Sequence, residues 1–339
     1  MISVAIAGVT GYTGQQLFRL LHGHPDLCVT QLFAHSSVGQ PLAQLCPELA
    51  PIAGTLDVRP FVPSDIQDCD LLFLALPHGC SHAYMAGLLK KGIRVIDLSA
   101  DFRFEDVSIF NQTYDVCHEA PELLSQIPYV LPELYEADLQ EIQAAAVPGC
   151  YATASLLALT PLCRAFTELG SIVIDAKSGV SGAGKGPTAS LQFCEIEGAF
   201  SAYATGTHRH EPEIAAMLGH DVFFSPHLLP MSRGILLNCY VMMPHGFNMK
   251  EIQACYKDFY GAKPFVRFLA QGQNPNTKWV TGSNGCMLGF SGSSEKGVLV
   301  IHAMIDNLIK GASGQAMQIA NRFFGFDETV ALPVCPQLL

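Results

Sequence analysis

The chain has 339 residues, 49% of them hydrophobic and 14% charged, with a formal net charge of −11. That length predicts about two domains and leaves ample apolar material for their cores. The acidic balance argues against a nucleic-acid partner and a basic membrane-surface patch, yet leaves room for a phosphorylated small molecule held by local groups.

The amino terminus, MISVAIAGVTG, lacks the basic flank of a secretory signal, and no uninterrupted apolar run reaches membrane-spanning length. The twelve cysteines include no CxxC pair. Scattered thiols of this kind predict a reduced, cytoplasmic protein in which most cysteines are small core residues.

The first half alternates between two periodicities. ISVAIAG reads as a strand ending in glycine, and GQQLFRLLHGH as a helix with apolar spacing at Leu17, Leu20 and Leu21. CVTQLFA, DLLFLALP and RVIDLSA read as further strands, with HAYMAGLLKKG a helix between the last two. Strands alternating with helices predict an α/β Rossmann domain: a doubly wound, mostly parallel sheet covered on both faces. After residue 148 the rhythm changes. SIVIDAKSGVSG, VFFSPHLL, GILLNCYVMM and GVLVIHAMI are strand candidates joined by long polar or glycine-rich connections. That pattern predicts an antiparallel or mixed sheet in an α+β catalytic and dimerisation domain over residues 149–306. A last helical pattern, NLIKGASGQAMQIANRFFGF, is expected to return and complete the domain of residues 1–148, giving it residues 307–339 as well.

GVTGYTGQQL places Gly8, Gly11 and Gly14 between the first strand and first helix. Glycines there permit a tight turn and close approach to a pyrophosphate, and the helix start supplies free N–H groups. The bland alternative is a plain strand–helix turn. At the end of the second strand, where Asp or Glu would hold a 2′-hydroxyl, the chain has FAHSSVGQ. His35, Ser36 and Ser37 offer donors and no acid, which favours the 2′-phosphate of NADP(H).

VPGCYATASLLALTPL puts Cys150 at or near a helix start. The amino end of a helix stabilises an anion, so a thiolate able to attack an acyl carbon is favoured there. A small buried core residue is the competing reading. GTHRHEPEI offers His208 and His210 as imidazoles beside the Arg209 guanidinium. The HxH pair has no further ligand cluster at metal spacing, so no metal is expected. KSGVSGAGKGPT is a glycine- and serine-rich turn that can present backbone N–H groups and Lys185 to an oxyanion or phosphate. DLSADFR closes the fourth strand and makes Arg103 a second candidate for an anionic group.

Taken together, GVTGYTGQQL, ALPHGCS, DLSADFR, VPGCYAT, SGVSGAGK, THRHEPEI, PHLLPMSRGI and DNLIKGASGQAMQ resemble the N-acetyl-γ-glutamyl-phosphate reductases, the arginine-biosynthesis branch of the semialdehyde dehydrogenase superfamily. The resemblance implies NADPH-dependent reduction of an acyl phosphate through a cysteine thioester, in a homodimer or homotetramer. It implies Cys150 as nucleophile and His208 as acid–base. It implies Ser178, Lys185, Arg103, Arg209, His210 and Glu213 as substrate-binding or supporting residues. For the cofactor it implies Gly8, Thr10, Gly11, Tyr12, Thr13, Gly14, Ser36, Ser37, Pro77 and Gly182. Two departures stand out: Ala152 where the family often has proline, and Lys185 where arginine is common. Lysine keeps the charge but not the bidentate fork. Rival readings are the same chemistry on an aspartyl or carrier-bound aminoadipyl phosphate, and a non-catalytic NADP-sensing protein.

Overall fold

A computed structural model describes residues 1–35, 38–270 and 272–337. The chain forms two compact units. One comprises Met1–Pro148 with Ala312–Leu332; the other comprises Gly149–Gly311 and the tail that begins at Pro333. Residues 307–311 and the tail thus cluster with the second unit, where the sequence reading gave all of 307–339 to the first.

The first unit is built on seven strands: β1 Ile2–Ala7, β2 Leu27–Ala34, β3 Gln40–Pro41, β4 Asp57–Pro60, β5 Leu71–Leu74, β6 Arg94–Asp97 and β7 Ala144–Ala146. Their order is β3-β4-β2-β1-β5-β6-β7, all parallel except β3. Ile6, Leu72, Phe73, Val95 and Ile96 are fully buried, as strands covered on both faces require. The order reverses between β1 and β5, and a doubly wound sheet binds ligands at the carboxyl ends of strands around such a point.

The glycine loop lies there and feeds the helix Tyr12–His22. A Cβ on Gly8 would stand 2.1 Å from the Ala75 carbonyl oxygen, and one on Gly14 would stand 2.2 Å from that of Gly8. Those two glycines are required by the protein itself. Gly11 differs, because a Cβ there would meet nothing closer than 3.5 Å. Its open side, with the N–H groups of Tyr12, Thr13 and Gly14 lacking intrahelical partners, fits a pyrophosphate. Ser313 Oγ donates to the Thr13 carbonyl at 2.9 Å, tying the start of the helix Gly314–Phe323 to this loop.

The second unit has a mixed sheet: β8 Ile172–Gly179, β9 Ser201–Ala202, β10 Val222–Leu229, β11 Ile235–Met242, β12 Val266–Phe268, β13 Cys286–Ser293 and β14 Val298–Ile305, in the order β12-β13-β14-β11-β8-β10-β9. The helix Cys150–Ala165 packs against β14 and β11. It contains Pro161, whose missing N–H leaves the Leu157 carbonyl without its usual helical donor. The buried Tyr260 hydroxyl donates to that carbonyl at 2.9 Å. A proline inside the helix is therefore satisfied by a tertiary partner.

The unequal glycines give a direct test. Gly14→Ala should unfold or strongly destabilise the first unit. Gly11→Ala should keep the native melting temperature within a few degrees yet lose most dinucleotide affinity. Thermal melting beside cofactor titration checks this, and a Gly11→Ala protein that binds normally would remove Gly11 from the phosphate site.

Candidate active site

Cys150 is the first residue of its sixteen-residue helix, with Gly149 as the extended N-cap. The N–H groups of Tyr151 and Ala152 lack helical partners by position, so the thiol sits among open donors and the positive dipole end. A second helix, His210–Leu218, starts beside the same turn. Its Glu213, fully buried, accepts the Gly149 N–H at 2.9 Å. Glu211 of that helix accepts the Phe224 N–H at 2.8 Å and fixes the helix to β10.

A cavity of about 550 Å³ opens at this junction. Cys150, Ser178, Gly182, His208, Arg209 and His210 all line it. Of the residues the sequence put on the substrate, Lys185 is exposed and does not line the cavity. Gly182, assigned to the cofactor from sequence, stands in the wall that also holds Cys150. Arg103 lies in the first unit, nearly buried, where it donates to the carbonyls of Val147 at 2.9 Å and Leu98 at 3.1 Å. Those bonds brace the segment that precedes the cysteine. Pro77 lies in the exposed turn after β5, and Ser36 and Ser37 lie outside the described residues.

Three features around the cysteine were not legible in sequence. Tyr151 follows the nucleophile and is buried, and burial pushes its hydroxyl far above the usual tyrosine range. The Tyr203 hydroxyl donates to it at 3.3 Å. These hydroxyls stay neutral donors. Gly311 is the third. A Cβ there would stand 2.7 Å from that of Cys150, so only glycine lets the turn Ile309–Ser313 lie against the nucleophile.

His208 has its ring 5.7 Å from Tyr151, 5.6 Å from Tyr203 and 4.9 Å from His210. Burial, aided by the neighbouring Arg209 charge, pushes its imidazole down to about 4. The ring is neutral across the physiological range.

DLSADFR proves to be a bracing segment. Asp101 accepts the N–H groups of Gly79 and Ser81, each at 2.7 Å, and of His82 at 3.1 Å, holding the turn after β5. Burial and the Asp101 charge push Asp97 up, while Ser81 and Ser99 hydrogen-bond to it. Among the described residues no group of three or more His, Cys, Asp or Glu side chains could hold a metal ion, and no helix is long and apolar enough to cross a membrane.

Known proteins share this organisation. Residues 3–142 match the family described as semialdehyde dehydrogenase, NAD binding domain, and residues 150–307 match its dimerisation domain. The N-acetyl-gamma-glutamyl-phosphate reductase of Desulforudis audaxviator is 43% identical over 339 residues, covering 98% of both chains. That of Heliobacterium modesticaldum is 41% identical over 348 residues, again covering 98% of both. Among solved structures, aspartate semialdehyde dehydrogenase II from Vibrio cholerae shares the fold with a TM-score of 0.72 at 17% identity, over 96% of this chain and 98% of that one. The Candida albicans aspartate semialdehyde dehydrogenase solved with NADP has a TM-score of 0.65 at 15% identity, over 96% and 98% of the two chains. With a dinucleotide-binding unit, a cysteine at a helix start inside a cavity, and this identity along nearly the whole length, the chain belongs to the N-acetyl-gamma-glutamyl-phosphate reductase family of the semialdehyde dehydrogenases.

Proposed function

We propose that the protein reduces N-acetyl-γ-glutamyl phosphate to N-acetylglutamate semialdehyde and inorganic phosphate, with NADPH, as a step of arginine biosynthesis. The observation that carries this reading is Cys150 at its helix start in a cavity with His208 and His210, in a chain whose relatives of that name match it from end to end.

The Cys150 thiolate attacks the γ-acyl carbon. A C–S bond forms, the bond from that carbon to the phosphate oxygen breaks, and phosphate leaves with its electron pair. Backbone N–H groups at the helix start steady the oxyanion of the tetrahedral stage. A nicotinamide held at the first unit, when bound, supplies the hydride that reduces the resulting thioester. The thiohemiacetal carbon–sulfur bond then breaks to release the aldehyde and return the sulfur as thiolate. An imidazole of the 208–210 pair carries the proton that enters and leaves with these steps. Ser178 and Arg209 line the cavity, which supports a role for them in holding the substrate's polar groups. Glu213 holds the Gly149 turn.

The absence of an acid after β2 supports NADPH over NADH. The dimerisation-domain match supports a homodimer or homotetramer. The chemistry needs a reduced thiol, which supports a cytoplasmic location.

The decisive assay runs the reaction backwards: NADP+ reduction by N-acetylglutamate semialdehyde with phosphate. Aspartyl phosphate and carrier-bound aminoadipyl phosphate tested in the forward direction should be poor substrates. Better turnover on either would reassign the enzyme within the superfamily, and cofactor binding with no turnover at all would leave a sensing protein. Equal kcat/KM for NADPH and NADH would refute the cofactor assignment.

Cys150→Ser should fold and bind cofactor but lose nearly all turnover. At mildly acidic pH, iodoacetamide should label Cys150, whose helix start favours the thiolate, ahead of the exposed Cys28, Cys117, Cys194 and Cys335. Burial pushes Cys69 and Cys163 up to about 11, so neither should compete.

Gly311→Ala should displace the nucleophile. A shift of about 1 Å is worth roughly a hundredfold in rate. The variant should therefore lose about that much kcat with cofactor affinity unchanged. Wild-type kcat in this variant would show that the turn yields instead of the cysteine.

A further inference from the structure

We propose that His208 serves the reaction as a neutral hydrogen-bond donor through Nε2–H, offered to the acyl oxygen of the substrate as it becomes an oxyanion, and that it is not the proton carrier. This rests on the reductase reading above.

The tautomer follows from geometry. His208 Nδ1 accepts the backbone N–H of His210 at 3.1 Å. A ring nitrogen that accepts carries no proton, so the single hydrogen of the neutral ring sits on Nε2. Burial and the neighbouring guanidinium disfavour a positive charge on the ring. Tyr151, Tyr203, His210 and Phe224 pack on it, the rings of the last two at 4.9 and 5.3 Å. Arg209 is adjacent and repels a second positive charge. The amino end of the helix His210–Leu218 has the same sign. The carboxylates of that helix are turned elsewhere, Glu211 to the Phe224 N–H and Glu213 to the Gly149 N–H. Cys150 and Ser178 complete the cavity wall.

Such a ring is a poor base. Nδ1 is engaged, and Nε2 already bears its hydrogen. It is a good donor, because a neutral N–H fixed in a half-buried cavity needs no reorganisation when charge develops on the substrate oxygen. The acyl oxygen becomes negative twice, in the tetrahedral stage before phosphate leaves and again after reduction. The proton transfers then fall to His210, whose ring lines the same cavity.

Two measurements test this. In ¹⁵N-labelled protein without substrate, long-range ¹H–¹⁵N spectra should show a ring, absent from His208→Gln, with Nε2 protonated and Nδ1 bare from about pH 5.5 to 8. Glutamine keeps an N–H donor, so His208→Gln should retain kcat within about tenfold and keep the wild-type pH profile. His208→Leu removes the donor and should lose about 10²- to 10³-fold in kcat. A ring that titrates near the ordinary imidazole value, a hydrogen on Nδ1, or a Gln variant as impaired as the Leu variant would each overturn the proposal. The spectra need no substrate. Expected spectra with a wild type inactive on every acyl phosphate would therefore fail the reductase reading and leave the tautomer established.

Discussion

One hydrogen bond organises the catalytic unit: the Gly149 N–H to the buried carboxylate of Glu213 at 2.9 Å. It joins two helices at their amino ends, where both carry partial positive charge and would otherwise repel. A carboxylate between them favours the pairing and fixes the residue that precedes the nucleophile. The cysteine, the imidazole pair and the cavity wall inherit their positions from that contact.

The cavity shows how one thiol among twelve is set apart. Residue type contributes nothing to the distinction. At Cys69, Cys163 and Cys239 loss of solvent disfavours the thiolate. Cys150 stands instead at a helix start, where N–H groups converge, with the bare Gly311 against it. The same logic separates the two neighbouring imidazoles. His208 is held neutral by burial, aided by the adjacent guanidinium, while His210 opens the next helix and is nearly buried.

Much of what resembles a ligand motif also braces the scaffold. Asp101, Asp97 and Arg103 hydrogen-bond to backbone and hydroxyl groups of the first unit: the turn after β5, the two serines and the Val147 carbonyl. Charged side chains at the carboxyl ends of parallel strands look alike in sequence whether they touch a ligand or brace the loop that does. The difference lies in which backbone groups need partners, and burial decides that.

The sequence by itself determined the strand–helix alternation, the mixed second sheet, the glycine loop and the cysteine at a helix start. These depend on periodicity, turn residues and helix-end chemistry, all local along the chain. It missed β13, Cys286–Ser293, because glycines interrupt its pattern. Gly289 and Gly292 are there to admit Leu269 and the backbone of Val298, neighbours distant in sequence or folded back across the hairpin. Only the tertiary structure decided that Gly8 and Gly14 serve the protein while a side chain at Gly11 would meet no clash, that Tyr260 completes the helix around Pro161, that Gly311 abuts Cys150, and that Lys185 does not line the cavity. Each is a contact between segments that meet only on folding, and no local pattern encodes which carbonyl, side chain or empty volume will lie opposite.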